Sequence, residues 1–373
     1  GFADRARQRV VLLQSGDAET LALWQLLMDE SERHFQAVYD SFDITLTPEH
    51  SIGESAYNDQ LDSVVQELAD LGLAVESDGA LCVFPEGFTG RDGRPFPLIV
   101  RKRDGGYNYD TTDLAAIRHR ILDIGATRLI YITDSGQRLH FEMVFKAASE
   151  AGWLTDPVRA EHYGFGVVQG PDRKRLRTRA GENPKLADLL DEAIQRAADV
   201  VAEKSPHLQE DERGAVARAV GIGAIKYADL SSDRIKDYVF DLDQMVSFEG
   251  NTAPYLQYAH ARIQSVFRRG EIDPANLKGA EVVIADPAEH RLALRLGEFE
   301  RVLHKAAEGV ELHRICGYLF DLATAFTAFY ESCPVLRADD EKTKSSRLVL
   351  CDVTARVLAT GLSVLGIAAP DRM

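Results

Sequence analysis

A chain of 373 residues, 45% of them hydrophobic, is long enough for two or three domains, each with its own core. Its formal net charge of -16 argues against a protein that coats nucleic acid non-specifically, because such binding requires many phosphates to be neutralised. A local basic surface remains compatible with this charge. The sequence has no run of about 18 apolar residues and no apolar core near its start, so we expect neither membrane insertion nor export, and a cytoplasmic location. The four cysteines are widely spaced without a CxxC pair, which gives neither a zinc signature nor a disulfide framework and indicates buried thiols. We expect no protein-bound metal.

Helical periodicity alternates with short apolar runs in the first part of the chain. Residues 22–39 and 139–152 repeat apolar side chains at helical spacing, whereas 127–133 and 164–168 are typical of buried strands. Strands separated by helices of this length favour a parallel sheet with helical crossovers. The sequence therefore predicts an α/β domain, which we place at residues 1–205.

The pattern becomes almost entirely helical after this region. Apolar residues from Leu186 to Val201 follow one helix face, and the later segments keep a helical character. We expect a helical connector over residues 206–249 and an all-α bundle over residues 250–373.

One helix of the bundle has well-marked ends. Asn251 or Thr252 can cap its start, with Pro254 in the first turn, and Gly270 can end it. The sequence therefore predicts an amphipathic helix between these residues.

The segment from Asp104 to Arg120 contains a phenol and a carboxylate at helical spacing. Tyr109 and Asp113 are four residues apart and share a face if a helix begins after capping residues Thr111 and Thr112. A carboxylate beside a phenol hydroxyl suits a guanidinium or ammonium ligand. The alternative is an ordinary helix start, where acidic residues are common.

Two further stretches could add to a cation site. Asp134, Gln137 and His140 follow a predicted strand, and open α/β sheets bind ligands at the carboxyl ends of their strands. An ordinary capped helix start explains these residues equally well. Glu54, after Gly53, could supply a second carboxylate, although a lone glutamate in a turn is more often solvated.

A basic loop follows the predicted strand over residues 164–168. It contains Arg173, Lys174, Arg175, Arg177 and Arg179. Such a loop before a helix suits phosphate binding, but it does not match the GxxxxGK[ST] pattern of nucleotide hydrolases. A solvated run of charge is the alternative interpretation.

These segments, in this order along nearly the whole chain, resemble the arginyl-tRNA synthetases, a family of class I aminoacyl-tRNA synthetases. The matching stretches include LQSGD, GESAYND, GLAVESDGA, YDTTDLAAIRHR, DSGQRLHF, GFGVVQG, RTRAGENPKLADLLDEA, GAIKYADL, FEGNTAPYLQYAHARI, FYESCPVL and LGIAAPDRM. So many matches in order are specific, whereas any one of them is weak. The resemblance implies the later part of a Rossmann-like catalytic domain, followed by an all-α anticodon-binding domain.

The resemblance also implies roles for residues at the matching motif positions. Recognition of the arginine substrate falls to Glu54, Tyr109, Asp113, Asp134 and Gln137. ATP binding falls to His162, Gly164, Phe165 and Gly166, and to Lys174, Arg177, Thr178 and Arg179 in the signature loop known as KMSKS. Anticodon contact falls to Tyr255, Tyr258, Tyr330 and Met373. Packing in the bundle core competes with this last role for each tyrosine.

The implied activity is that of an arginine-tRNA ligase, which activates L-arginine with ATP and Mg2+ and transfers it to tRNA(Arg). Members of the family are usually monomers, and activation characteristically waits for bound tRNA. One alternative is a paralogue that passes an activated amino acid to a small metabolite, or a resistant accessory copy. Another alternative is a non-catalytic tRNA-binding module.

Two departures from the family pattern affect these expectations. The HIGH signature that packs against ATP is not found around any of the ten histidines, and the N-terminal module that grips the tRNA elbow is also missing from this numbering. We therefore expect activity to require a part of the protein upstream of residue 1. The lysine usual before Thr178 is Arg177, which keeps the charge but places it on a planar fork.

Overall fold

The computed structural model describes residues 1–170, 172–174, 176 and 185–373, and only the backbone of residues 3, 4, 7 and 14. The described residues form two compact units. The first comprises Gly1–Asp40 and Thr45–Phe165, and the second comprises Ser41–Ile44 and Gly166–Met373. The domain limits predicted from the sequence, at residues 205 and 250, differ from this division and stay predictions.

The first unit alternates helices with short strands. Its helices are α1 (Phe2–Gln14), α2 (Ala18–Ser41), α3 (Leu61–Asp70), α4 (Tyr109–Leu122) and α5 (Arg138–Glu150). Its strands are β1 (Ala74–Ser77), β2 (Ala80–Val83), β3 (Leu98–Arg101), β4 (Arg128–Asp134) and β5 (Arg159–Phe165). Short 3-10 helices cover Pro48–His50, Glu54–Gln60 and Ser135–Gln137.

Strands β4 and β5 form a parallel pair connected by α5, which confirms the crossover predicted for this region. Their register places Tyr131 opposite His162 and Asp134 opposite Phe165. Strands β1, β2 and β3 form a separate antiparallel sheet. The sequence pattern did not predict this sheet, because each of its strands is only 4 residues long.

The core of the first unit is built from its sheet and helices together. Leu68 of α3, Val100 of β3, Leu114 of α4 and Val144 of α5 are completely buried in one apolar cluster. Burial of such side chains stabilises the unit by roughly 1.5–3 kcal/mol each. Helix α4 therefore shares one apolar core with β3.

The second unit is mainly helical, as the sequence predicts. Its helices are α6 (Leu186–Lys204), α7 (Glu210–Ser231), α8 (Leu242–Met245), α9 (Ala253–Gly270), α10 (Pro287–Leu296), α11 (Phe299–Gly309), α12 (Leu312–Ser332) and α13 (Glu341–Val364). A 3-10 helix covers Pro274–Leu277, and the short strands β6 (Val168–Gln169) and β7 (Tyr238–Val239) pair in parallel. Among the helices of the described residues, none combines the length and the apolar character needed to cross a membrane.

The strand predicted over residues 164–168 is confirmed only in part, because the chain leaves the β4–β5 pair within it and the stretch is divided between two strands. Strand β5 ends at Phe165, and β6 begins at Val168. Between them, the Gly166 N–H donates to the Arg234 carbonyl at 2.9 Å. The backbone that would continue β5 therefore bonds to the segment before β7.

Helix α9 has the ends that the sequence predicts. The Thr252 hydroxyl oxygen accepts a hydrogen bond from the Tyr255 N–H at 3.3 Å, and the helix ends at Gly270. Its buried face is apolar except for Gln257 and His260, which are also buried.

These two polar side chains of α9 hold the C-terminal residues. The Gln257 side-chain amide donates to the Ala368 carbonyl at 2.8 Å. His260 Nδ1 lies 3.1 Å from the Pro370 carbonyl oxygen. The last residues of the chain therefore run along α9, and Met373 packs against the cluster formed by α6 and α7.

Close packing of α6 against α7 generates a stability prediction. A Cβ added to Gly221 would lie 2.7 Å from the Ile194 Cα, whereas one added to Gly214 on the same helix would meet open space. We expect Gly221→Ala to lower the free energy of unfolding by about 1–3 kcal/mol through overpacking. Gly214→Ala should raise it by about 0.5–1 kcal/mol, because alanine favours the helix. Urea denaturation of both variants checks this, and equal effects would contradict it.

Candidate functional site

Helix α4 begins at Tyr109, which is earlier than predicted. The residue before it has the extended backbone of an N-cap. The Thr111 hydroxyl donates to a β3 carbonyl at 2.6 Å, and the Thr112 hydroxyl donates to the Tyr109 carbonyl within the helix. The prediction that these threonines cap the helix is therefore wrong. Tyr109 and Asp113 both lie inside the helix, one turn apart on one face, as the spacing predicts.

His140 on α5 lies between two carboxylates of α4. Its Nε2 is 2.6 Å from Asp113 Oδ2, and its Nδ1 is 3.2 Å from Asp110 Oδ1. The ring of Tyr109 lies against the imidazole, with 4.8 Å between the ring centroids. The Asp110 side chain is 8% exposed and that of Asp113 is 30% exposed. A ligand can therefore reach Asp113 far more easily than Asp110.

The far side of Asp110 is held by backbone and amide groups. Its Oδ2 accepts hydrogen bonds from the Ile99 N–H on β3, at 3.2 Å, and from the Asn108 amide, at 3.3 Å. Burial of His140 opposes its charge, but its bonds to Asp110 and Asp113 outweigh this effect and raise its pKa to about 9. At neutral pH the cluster therefore holds one cation between two carboxylates and keeps a net negative charge.

Asp134 and Gln137 occupy the turn between β4 and α5. Asp134 caps this turn by accepting a hydrogen bond from the Gly136 N–H at 2.7 Å. Gln137 is exposed at the end of the turn, just before the helix that contains His140. The capping interaction of Asp134 is the ordinary one considered from the sequence, and a substrate contact of either residue stays a prediction.

Glu54 is exposed at the first residue of its 3-10 helix. Within the part of the chain that the structure describes, no hydrogen bond joins Glu54 to Tyr109 or Asp113. The structure therefore brings Tyr109 and Asp113 together, while the contribution of Glu54 stays a prediction.

The imidazole ring of His162, on β5, contacts one side chain through its face and another through its edge. Its ring stacks on Phe141 of α5, with 4.9 Å between the centroids, and its Nε2 lies 2.7 Å from the Thr133 hydroxyl oxygen. Burial is the largest influence on this histidine and lowers its pKa. A neutral, fixed ring results.

The end of β5 packs closely on the turn after β4. A Cβ on Gly164 would lie 2.8 Å from the Ser135 Cα, so the approach requires glycine. Phe165 follows and is 42% exposed. Gly166 belongs to the second unit. His162, Gly164 and Phe165 therefore all lie at the carboxyl end of β5.

The described part of the basic loop is a tight turn. The Lys174 carbonyl accepts a hydrogen bond from the Gly170 N–H at 2.8 Å, and the Lys174 side chain is exposed. Arg177, Thr178 and Arg179 lie outside the described residues. Of the three loop cations expected to bind ATP, Lys174, Arg177 and Arg179, Lys174 is thus the one with a described position.

A groove of about 590 Å³ in the second unit brings together aromatic and basic side chains. Its lining includes Tyr258, Tyr330 and Met373, together with Arg262, Arg268, Arg269 and Arg372. The Arg262 guanidinium lies over the Tyr330 ring, 4.3 Å from its centroid, and Arg269 donates to the Tyr330 hydroxyl at 3.0 Å. Three of the four residues predicted to contact an anticodon therefore face one groove.

Tyr255, the fourth of these residues, packs elsewhere. Its ring lies 5.6 Å from that of Phe320 and contacts the bundle core. Core packing is the alternative considered for it from the sequence, and an anticodon contact for Tyr255 stays a prediction.

Two family models match the chain. One, described as tRNA synthetases class I (R), catalytic domain, matches residues 1–242. The other, described as DALR anticodon binding domain, matches residues 256–373. The chain belongs to the class I arginyl-tRNA synthetase family. The expected fold class, a Rossmann-like synthetase domain followed by a helical anticodon-binding domain, is thereby confirmed.

Curated relatives in this family are named arginine-tRNA ligase. One from Thermobifida fusca is 54% identical over 374 residues, and the match covers 100% of this chain and 64% of the relative. One from Streptomyces coelicolor is 50% identical over 373 residues, covering 100% and 63%. This chain therefore spans less than two thirds of the length of these relatives.

Solved structures agree with this assignment to the arginyl-tRNA synthetases. The arginyl-tRNA synthetase of Plasmodium falciparum matches with a TM-score of 0.87 and 30% identity, covering 100% of this chain and 62% of that one. The enzyme of Thermus thermophilus matches with a TM-score of 0.71 and 28% identity, covering 84% and 58%. A methionyl-tRNA synthetase of Mycobacterium tuberculosis, 11% identical with a TM-score of 0.55, shares the fold alone.

Two parts of the site were missed from the sequence, although both left a signal. Asp110 stands three residues before Asp113, a spacing that places both on one helix face. Tyr258, Arg262 and Arg269 follow the same helical spacing along α9. A search for further charged residues on the same helix face as each proposed contact residue would have found both sets.

The His140 cluster generates a prediction for stability against pH. Because its folded-state pKa of about 9 lies above its ordinary value of 6.5, the stabilisation is complete below pH 6.5 and is lost as pH rises through 9. We expect His140→Gln to lower the free energy of unfolding at pH 6 by on the order of 3 kcal/mol. The difference from the unmodified protein should shrink by pH 10, as urea denaturation at each pH would measure. A difference that does not change with pH would contradict a charged His140.

Proposed function

We propose that this chain forms the arginine-recognising and anticodon-binding parts of an arginine-tRNA ligase. In that reaction the carboxylate of L-arginine attacks the α-phosphate of ATP, giving arginyl-adenylate and releasing pyrophosphate. A ribose hydroxyl at the 3' end of tRNA(Arg) then takes the arginyl group, and AMP leaves. The partly exposed carboxylate of Asp113 beside Tyr109 is the observation that supports this proposal most strongly, in a chain whose named relatives are arginine-tRNA ligases.

Asp113 is the residue to which we assign the substrate guanidinium. His140 bonds to its Oδ2, so its other oxygen can accept an N–H of the ligand in a charge-assisted bond. Tyr109 offers an exposed phenol on the same face. We further assign Glu54 as a second carboxylate, and we assign Gln137 and Asp134 to the amino-acid end of the substrate.

ATP is assigned to the carboxyl ends of β4 and β5, where open α/β sheets bind their ligands. His162, Gly164, Phe165 and Gly166 border the adenine in this proposal. Lys174, Arg177, Thr178 and Arg179 stabilise the charge that develops on the phosphates. Within the described residues, no group of three His, Cys, Asp or Glu side chains could hold a metal ion. We therefore expect Mg2+ to enter bound to the phosphates of ATP, where it neutralises their charge.

The groove of the second unit is assigned to the anticodon loop of tRNA(Arg). Aromatic rings beside arginines suit single-stranded RNA, because bases stack on the rings and phosphates pair with the cations. Tyr258 is 45% exposed and Tyr330 is braced by Arg262 and Arg269, so both rings can be offered to bases. Met373 adds an apolar edge to the same groove. We propose that the protein works in the cytoplasm as a monomer, as a tRNA-charging enzyme of translation would.

Removal of the Asp113 carboxylate tests the arginine site. We expect Asp113→Ala to weaken arginine binding by about 100-fold, because the charge-assisted pair with the guanidinium is lost, while ATP binding changes little. Calorimetric titration with arginine and with ATP measures both constants. Asp123→Ala is the matched control, since this carboxylate also pairs with a histidine of α4, His119, but is not part of the proposed site. Equal losses of arginine and ATP binding would refute the role of Asp113.

Replacement of Tyr258 tests the groove. Loss of one stacked base costs about 1–3 kcal/mol, so we expect Tyr258→Ala to weaken binding of a tRNA(Arg) anticodon stem-loop by roughly 5- to 150-fold. Fluorescence anisotropy with a labelled stem-loop provides the measurement. Leu294→Ala is the control, because Leu294 is 59% exposed on the same unit and is not part of the groove lining. Unchanged affinity of the Tyr258 variant would remove this ring from the RNA site.

A further inference from the structure

His140 and Asp110 have no task in the reaction described above, although they occupy the centre of the cluster behind Asp113. The His140 side chain is 14% exposed and that of Asp110 is 8% exposed. Keeping a carboxylate and an imidazole this well buried is costly unless their hydrogen bonds are satisfied. Such a group is retained at a stability cost that a purely apolar contact between α4 and α5 would avoid.

We infer that His140 is a positioning residue, which, anchored through Asp110 to β3, fixes the Asp113 carboxylate for a guanidinium ligand. This inference rests on the proposed function, because it concerns the same arginine site. It adds the group that orients the binding carboxylate and makes arginine binding depend on the proton carried by His140.

The hydrogen-bond count requires a doubly protonated ring. Nε2 and Nδ1 each face a carboxylate oxygen, at 2.6 Å and 3.2 Å. A neutral imidazole has one N–H and could donate to only one of Asp110 and Asp113. Its second nitrogen would then place a lone pair against a carboxylate. The imidazolium alone satisfies both contacts.

The anchor runs through the backbone of the sheet. Asp110 accepts from the Ile99 N–H on β3, and its other oxygen faces His140 Nδ1. The Tyr109 ring covers one side of the imidazole, at 4.8 Å between centroids. The His140 ring is therefore fixed in position. Asp113, bonded to it through Oδ2, must direct its remaining oxygen away from the ring.

Fixing the carboxylate before the ligand arrives removes an ordering cost from binding. The imidazolium also lies between the Asp110 and Asp113 carboxylates and offsets their mutual repulsion, which helps to keep both in their bonded positions. Loss of the proton from His140 should therefore weaken arginine binding even though His140 does not touch the ligand.

Titratable groups face His140 from α4 and from β5. Tyr109, Asp110 and Asp113 face it from α4, and His162 feels its charge from β5. The pKa of Tyr109 is raised, first by Asp110 and then by burial and Asp113, so its hydroxyl stays neutral in the range considered. The pKa of His162 is lowered, mainly by burial. The proton on His140 is consequently the one expected to leave between pH 8 and pH 10.

The test is arginine binding by the whole chain, measured calorimetrically from pH 7 to pH 10. We expect His140→Gln to weaken binding by on the order of 10- to 100-fold at pH 7, the usual effect of a small misplacement in a site, with ATP binding within about twofold. The ratio of the two dissociation constants should approach 1 by pH 10, because the unmodified protein then also lacks the cation. Ionisation of the amino group of arginine is common to both proteins and cancels in this ratio. His119→Gln is the control, since it removes another carboxylate-paired histidine, on α4, and should leave arginine binding unchanged.

Asp110→Asn provides a second test in which His140 itself is not replaced. With one carboxylate fewer, His140 should lose its proton at a lower pH, so the pH at which arginine binding weakens should fall. A merely structural role would lower affinity without moving that pH. If His140→Gln and Asp110→Asn both leave arginine binding unchanged while Asp113→Ala weakens it as expected, the inference about His140 is overturned but the proposed function is not. Arginine binding that survives Asp113→Ala as well would overturn the proposed function.

Discussion

The start of helix α4 is fixed to strand β3, and the proposed arginine site depends on this attachment. The Thr111 hydroxyl donates to the Val100 carbonyl, and the Asp110 carboxylate accepts from the Ile99 N–H. Two side chains of the first helical turn thus satisfy backbone groups of the strand. Asp113, one turn further on, inherits a fixed position from them. A carboxylate on a loop could not be aimed with the same precision.

The sequence predicted most of the long helices and the β4–β5 pair, but apart from α9 it did not predict how the ends of these elements are held. Helical spacing identified α2, α5, α6 and α9. The last three each bury one apolar stripe along many residues, whereas the large apolar side chains of α2 are mostly exposed. The sequence pattern placed the start of α4 too late, because threonine favours caps and Thr111 instead bonds to β3. It also joined two strands at residues 164–168, where Gly166 bonds to a segment nearly 70 residues away, a contact that no local pattern encodes.

The two candidate sites show the same difference between residues that a local pattern identifies and contacts that it does not. Tyr109 and Asp113 were found because helical spacing alone puts them on one face, and Tyr258 and Tyr330 came from a resemblance across ordered motifs. The part that Asp110 plays in the arginine site depends on its contact with the imidazole of His140, which lies on another helix. The arginines that brace Tyr330 come from α9, while Tyr330 itself lies on α12. Contacts between elements of this kind become visible only once the chain has folded.

Discrimination between arginine and citrulline tests most directly whether this site recognises a guanidinium by its charge. Citrulline has nearly the same shape but a neutral urea group, so it would leave the Asp113 carboxylate without a cationic partner. A site built around charged hydrogen bonds should reject it by about 10⁴-fold. Calorimetric titration of the chain with each amino acid at pH 7 should therefore give tight binding for arginine alone. Comparable dissociation constants for the two would contradict a carboxylate-based arginine site.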